Sequence, residues 1–163
     1  MVVLVEQVPV WLILPLRQRV LRPLQDISEV HFEGDADGTH FAAFDDGGAI
    51  VGAASLLDAE ADAVAKATWR LRGMAVSPEC QLHGVGREVM LAVLGFVEVT
   101  DQGGIWCAAR ASAVGFYEKF CFKVVSGPYE EPGIGQHVRM ERHGSWGAGI
   151  RGEWAESGEQ GRE

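Results

Sequence analysis

The stretch from Thr68 to Val97 constrains the fold of this chain more than any other. An apolar run over Thr68–Val76 is stopped by Ser77-Pro78, and Gln81-Leu82-His83-Gly84-Val85-Gly86-Arg87 follows. After Gly86 the apolar residues Val89, Met90, Val93, Leu94 and Val97 fall at helical spacing. A strand that feeds a helix through a glycine-bearing turn belongs to a layered α/β structure. The first turn of such a helix presents free backbone N–H groups and the positive end of the helix dipole. It is therefore an anion site, and Gly84 and Gly86 carry no Cβ to hold a diphosphate away from the backbone. The turn is not a Walker loop, since G-x-x-x-x-G-K-[ST] is absent. It is not a dinucleotide fingerprint either, since Val89 stands at the third glycine position.

The remaining elements fall into place around this unit. Met1–Leu16 reads as a short strand, a turn and the start of a core-facing helix that ends near Arg22-Pro23. It has no basic leader, carries Glu6, Gln7, Pro9 and Pro15, and is too short to span a bilayer, so neither a targeting signal nor a membrane role is expected. Phe41–Phe44, Asp45-Asp46-Gly47-Gly48 and Ala49–Leu56 read as a β-hairpin, because Asp and Gly accept the positive φ of a tight turn. Ile105–Ala109 reads as a buried strand, Ala113–Phe120 as a helix, and Phe122–Val125 and His137–Met140 as closing strands. A single domain over residues 1–142 is expected at this length. Residues 143–163, with six glycines, four glutamates, Trp146 and Trp154 and no periodicity, read as a flexible acidic tail. Gly147–Gly152 spells G-x-G-x-x-G but has no strand before it and no helix after it, so it carries no nucleotide.

Charge narrows the partners. Fourteen Lys and Arg against 23 Asp and Glu give a net charge of −9, which repels phosphate backbones and disfavours a nucleic-acid binder. Between Leu24 and Val64 there is no Lys or Arg, and ten acidic residues stand there. Two readings are open: a solvated surface, or an electrostatic funnel for a cationic amine. Cys80, Cys107 and Cys121 form no C-x-x-C pair, which points to a reducing cytoplasm. Cys107 reads as inert core, and Cys80, beside the glycine turn, as exposed. No His, Asp, Glu or Cys set has metal-ligand spacing, so no metal is expected.

A second constellation, Ala113-Val114-Gly115-Phe116-Tyr117-Glu118-Lys119-Phe120-Cys121-Phe122, places Phe116 and Phe120 four apart facing the core and turns Tyr117 away from that stripe. A phenol there can donate a hydrogen bond or a proton. Together, Arg72-Gly73-Met74-Ala75-Val76 with Gln81–Gly86, Ala113–Phe122, and Tyr129–Met140 resemble the GNAT superfamily of acetyl-CoA-dependent N-acetyltransferases, and its ElaA-like branch in the last of these, from about Arg17 to Arg142.

The resemblance implies a mixed α/β (α+β) fold, a mostly antiparallel sheet with helices on both faces and its fourth and fifth strands splayed. It implies acetyl-CoA as cosubstrate. The pantetheine arm is expected along Met74, Ala75 and Val76, and the coenzyme is expected to be held by Gln81, Leu82, His83, Gly84, Val85, Gly86 and Arg87, with a further contact at Ser112. It implies Tyr117 as the general acid. Leu82 and His83 stand where the family often has Gly and a basic residue, Cys121 replaces its usual Gly, and Arg110 stands where many members have Asn. Strand 4 bears Arg70 and Arg72 in place of a Glu that serves as base, so the base is unassigned. Glu131 and His137, in the last hairpin, are the candidate substrate residues, and His31 and His40 are further candidates for the base. The expected activity is transfer of an acetyl group to a small-molecule or protein amine. The rivals are a non-catalytic acyl-CoA-binding module and an acidic protein-interaction domain with a vestigial coenzyme site. Monomer and homodimer are both open.

Overall fold

The computed structural model describes residues 1–59, 67–100 and 103–144. The Gly147–Gly152 motif, Trp146 and Trp154 lie outside them. Seven strands and three helices follow in the order β1 (Leu4–Val8), α1 (Val10–Leu21), β2 (Thr39–Phe44), β3 (Ile50–Asp58), β4 (Trp69–Val76), α2 (Val85–Thr100), β5 (Ile105–Arg110), α3 (Val114–Glu118), β6 (Lys123–Glu131) and β7 (Gly135–Arg142). They form one sheet of order β1-β2-β3-β4-β5-β7-β6, antiparallel throughout except between β4 and β5. The fold class expected from the sequence is the one observed. No described helix is long and apolar enough to cross a membrane.

Two apolar layers clothe the sheet. The apolar stripe of α2 (Val85, Val89, Met90, Val93, Leu94 and Val97) meets Leu71, Cys107, Ala109 and Met140 in the main core, joined by Tyr117, Phe120 and Phe122. On the opposite face Ile13 and Leu16 of α1 pack on Ala42, Ala53 and Ala75. Small residues on three adjacent strands let α1 approach the sheet closely. The β2–β3 turn forms as its residues dictate: the Asp45 carboxylate accepts from the N–H groups of Gly47 and Ala49, 2.9 Å each, and Gly48 takes φ +81°.

Three expected boundaries move. Helix α3 is five residues long and stops before Phe120, because Cys121 turns the chain at φ +65° and the Phe122 N–H reaches back to the Tyr117 carbonyl. Phe120 is still fully buried, its ring 5.3 Å from that of Phe116. Strands β6 and β7 run well beyond the short closing strands expected, and β6 is an exposed edge strand without an alternating pattern that would reveal its length. Cys80 is buried in the main core rather than exposed.

A buried polar network fastens α1 to the sheet. Arg17, fully buried, donates to both carboxylate oxygens of Asp35 (2.6 and 3.2 Å), to the Val30 carbonyl (3.0 Å) and to the Ser55 hydroxyl (2.8 Å). His40 continues the chain: Nδ1 lies 2.7 Å from the Ser55 hydroxyl and Nε2 lies 2.8 Å from the Asp35 carbonyl. The carbonyl only accepts, so the proton sits on Nε2 and Ser55 donates to Nδ1. The Arg17 guanidinium also lies 3.9 Å over the Phe32 ring, whose second cation is Arg72 at 4.0 Å. Removing one partner of a buried ion pair strands the other charge. Arg17→Met is therefore expected to cost about 3–5 kcal/mol in urea denaturation. Ser55→Ala, which removes a neutral relay, is expected to cost nearer ~1 kcal/mol.

Candidate active site

Strands β4 and β5 pair at only two positions, Trp69↔Ile105 and Arg70↔Trp106. Beyond them each strand follows its other neighbour: β4 stays with β3 as far as Gly52↔Val76, and β5 stays with β7 as far as Arg110↔His137. The sheet therefore opens into a wedge. One extra residue on β4, between the pairs Ala53↔Ala75 and Ser55↔Arg72, sharpens the divergence. Gly73 makes this bulge at φ +64°, and a Cβ there would stand 3.0 Å from the Phe32 ring, so both conformation and space require glycine.

The glycine turn sits at the open end of the wedge. The Ser77 N–H holds the Val51 carbonyl at 2.8 Å, ending β4. The chain then passes through Leu82 (φ +64°) and Gly84 (φ +83°) before the Glu88 N–H meets the Gly84 carbonyl at 3.1 Å and opens α2. The N–H groups of Val85, Gly86 and Arg87 precede that bond, in the turn that an α-helix leaves without internal partners. The two glycines serve different ends. Beside Gly84 there is open space, whereas a Cβ on Gly86 would press on the Phe116 ring at 3.3 Å. The side chains of Leu82 and His83 point outward, with His83 Nδ1 held 2.9 Å from the Gln81 carbonyl, and Arg87 pairs with Glu88 at 2.6 Å. Gln81 ties the turn to β4 through the Val76 carbonyl, 3.2 Å away.

A cavity of about 310 Å³ fills the wedge. Of the residues singled out from sequence, it brings together Met74, Gln81, Tyr117, Glu131 and His137. Leu82 to Arg87 lie outside its lining, as do Val76 and Ser112, which is exposed beside α3. The side chain of Ala75 is buried against α1, leaving its backbone alone available. His31 and His40 take no part: His40 belongs to the buried network and His31 is exposed.

Tyr117 is buried, with its ring set edgewise to Phe116 (5.2 Å) and Phe122 (5.6 Å). Among the described residues no protein group bonds its hydroxyl, and burial pushes the phenol well above its ordinary range. His137 is buried, its Nδ1 donating to the Gly135 carbonyl at 3.0 Å and its ring stacked on Tyr129. Cys107, beneath the wedge, is an inert thiol, pushed up to about 12 by burial.

The reading of the sequence missed the arginines as a group. Arg22, Arg70, Arg72 and Arg110 all line the cavity, against Glu131 as its one lining carboxylate. Strand alternation held part of the signal, since Leu71 and Ala109 face the main core and so turn Arg70, Arg72 and Arg110 to the α1 face. Nothing in the sequence placed Arg22 there. None of the described acidic residues between Leu24 and Val64 lines the cavity: Asp35 neutralises Arg17, Asp45 holds the hairpin turn, and Asp26 and Glu29 cap a short 3-10 turn.

Comparison with known proteins agrees with this architecture. A family model described as an acetyltransferase (GNAT) domain matches residues 21–143. The uncharacterized N-acetyltransferase YitI of Bacillus subtilis (strain 168) is 30% identical over 128 residues, covering 77% of this chain and 85% of that protein. The crystal structure of Escherichia coli ElaA superposes with a TM-score of 0.69 at 22% identity, covering 87% of this chain and 100% of that one. That of an acyl-CoA N-acyltransferase from Pseudomonas aeruginosa gives 0.69 at 21%, covering 86% and 99%. A seven-stranded sheet wedged open between its fourth and fifth strands, with a family match across three quarters of the sequence, makes this chain an acyltransferase enzyme belonging to the GNAT acetyltransferase family.

Proposed function

We propose that this chain transfers an acetyl group from acetyl-CoA to an amine by direct attack, with Tyr117 as the acid that protonates the departing thiolate. The observation that carries this reading is the buried Tyr117, whose hydroxyl has no protein partner among the described residues and which lines the same cavity as Glu131 and His137.

The residues fit the coenzyme at three places. The β5-facing edge of β4 over Met74–Val76 has no strand beside it, which suits an extended amide-bearing arm. The first turn of α2 offers N–H groups to a diphosphate, with open space at Gly84 for its approach. The wedge between them leads to Tyr117. When bound, acetyl-CoA supplies an electrophilic thioester carbon and a thiolate leaving group. The protein's part is placement and proton supply. Met74–Val76 fix the arm, Glu131 and His137 face the incoming amine, and Tyr117 holds a proton on its hydroxyl. Burial raises the phenol above its ordinary value, so the hydroxyl carries its proton at neutral pH. A covalent acyl-cysteine is disfavoured, since the Cys107 thiol is pushed up to about 12 and Cys80 is buried in the core.

Two experiments test this reading. Gly84→Val puts a branched side chain at a left-handed position and into the diphosphate's approach, so acetyl-CoA affinity by isothermal titration should fall at least about tenfold. His83→Ala, which removes an exposed side chain only, should stay within about twofold of wild type. Unchanged affinity in Gly84→Val would sink the coenzyme site. Tyr117→Phe keeps the ring and removes the proton donor. Turnover is expected to fall at least about tenfold with acetyl-CoA affinity unchanged. Because burial raises the phenol, its loss of a proton lies above the ordinary value of about 10. The wild-type rate should then show no falling limb from this group between about pH 7 and 10. Full turnover in Tyr117→Phe rules out the assignment.

A further inference from the structure

Resting on the transfer reading above, we propose that the acceptor amine carries an acidic group of its own, a carboxylate or a phosphate, held by Arg22, Arg72 and Arg110 on the α1 face of the wedge. All three line the cavity with Tyr117, Glu131 and His137. Among the described residues none of the three has a carboxylate within 4.0 Å, although the chain as a whole is strongly acidic. Neutral groups position them instead. Arg22 and Arg110 both donate to the Leu21 carbonyl, at 2.9 and 3.5 Å, and the Arg72 guanidinium carbon lies 4.0 Å from the centre of the Phe32 ring. A guanidinium has five donors, so most of each fork is left for a ligand.

Gathering like charges in a half-buried cavity is unfavourable, and its effect is visible on the residues themselves. Burial and the neighbouring cations Arg70, Arg22 and Arg17 bring Arg72 down to about 10 against the opposing pull of Asp35, and burial and Arg110 lower Arg22 against that of Glu131. An oxyanion relieves that repulsion and matches the planar forks. The coenzyme's phosphates are not that anion. Their proposed amide site at the start of α2 belongs to the main-core side of the sheet, where Val85 is buried, whereas strand alternation turns Arg72 and Arg110 to the other face. Glu131 and His137 share the cavity with the arginines, so one small acceptor presents its amine to the first pair and its acid to the second set.

The test compares matched amines on the full chain with acetyl-CoA, following thiol release. The pairs are α-amino acids and 4-aminobutyrate against their carboxamides, and phosphoethanolamine against ethanolamine, which separates carboxylate from phosphate. In at least one pair the acidic member should exceed its neutral partner in kcat/KM by at least about tenfold. Arg72→Gln and Arg110→Gln should each erase that preference while acetyl-CoA affinity stays unchanged. Neutral partners that serve equally well, or a preference that survives both substitutions, overturn the proposal. Calorimetry of the same acids and amides against the CoA-saturated chain gives an independent readout. If no amine releases thiol, the transfer reading fails. The cationic subsite then stands only if acids bind at least about tenfold tighter than amides and lose that margin in Arg72→Gln; equal binding, or none, overturns it.

Discussion

The parting of β4 from β5 is the constraint on which everything else in this molecule depends. Two adjacent strands near the middle of a sheet normally satisfy each other's N–H and C=O groups, and leaving a pair open forfeits those bonds. Here the ladder stops after Arg70↔Trp106, and both strands are kept apart by partners on their outer sides. The α1 side supplies the brace. Arg17 is fixed by Asp35, Ser55 and Val30, its guanidinium positions Phe32, and Phe32 lies against the Gly73 bulge. A buried ion pair behind Phe32 and Gly73 thus sets the wall of the cavity. Its value lies in fixing one geometry more than in raising stability, since a dry apolar packing of equal volume is often as stable.

The electrostatics of the molecule separate into two scales. The long-range field is negative, with 23 acidic side chains against 14 basic. The field inside the cavity is the reverse, with four arginines against Glu131. Fields from exposed carboxylates are screened within about 10 Å at ordinary ionic strength, whereas charges in a half-buried cleft act on a ligand through low-dielectric walls. The local arginines therefore dominate the field inside the cavity, and the overall charge sets the field outside it.

Much of this was legible in the sequence, for identifiable reasons. The strand–glycine–helix unit, the Asp45 hairpin and the helical stripe of α2 are local patterns, and local patterns are what composition and spacing encode. Among the described residues Leu82 and Cys121 are the non-glycine residues at positive φ, and a side chain that disfavours such a backbone hides the turn from a reading of the sequence. What escaped was non-local. Arg22 joins Arg110 across 88 residues of sequence through a single carbonyl, that of Leu21, and no periodicity reports such a meeting. The acidic run invited a funnel reading because charge counts are visible in sequence, whereas the internal pairing of Asp35 with Arg17 is not. The length of β6 was hidden because an edge strand exposed along nearly its whole length has no inside to mark.

The three cysteines have a practical consequence. Cys80 and Cys107 are buried, and the thiolate of Cys107 is strongly disfavoured; Cys121 alone is exposed, at the left-handed turn that ends α3. Alkylating reagents react with accessible thiolates, so the folded wild-type chain accepts a single label without mutagenesis. That label sits four residues beyond Tyr117, which lines the cavity. The protein thus carries a built-in attachment point for a fluorophore or spin probe, from which the occupancy of its own cleft can be followed in real time.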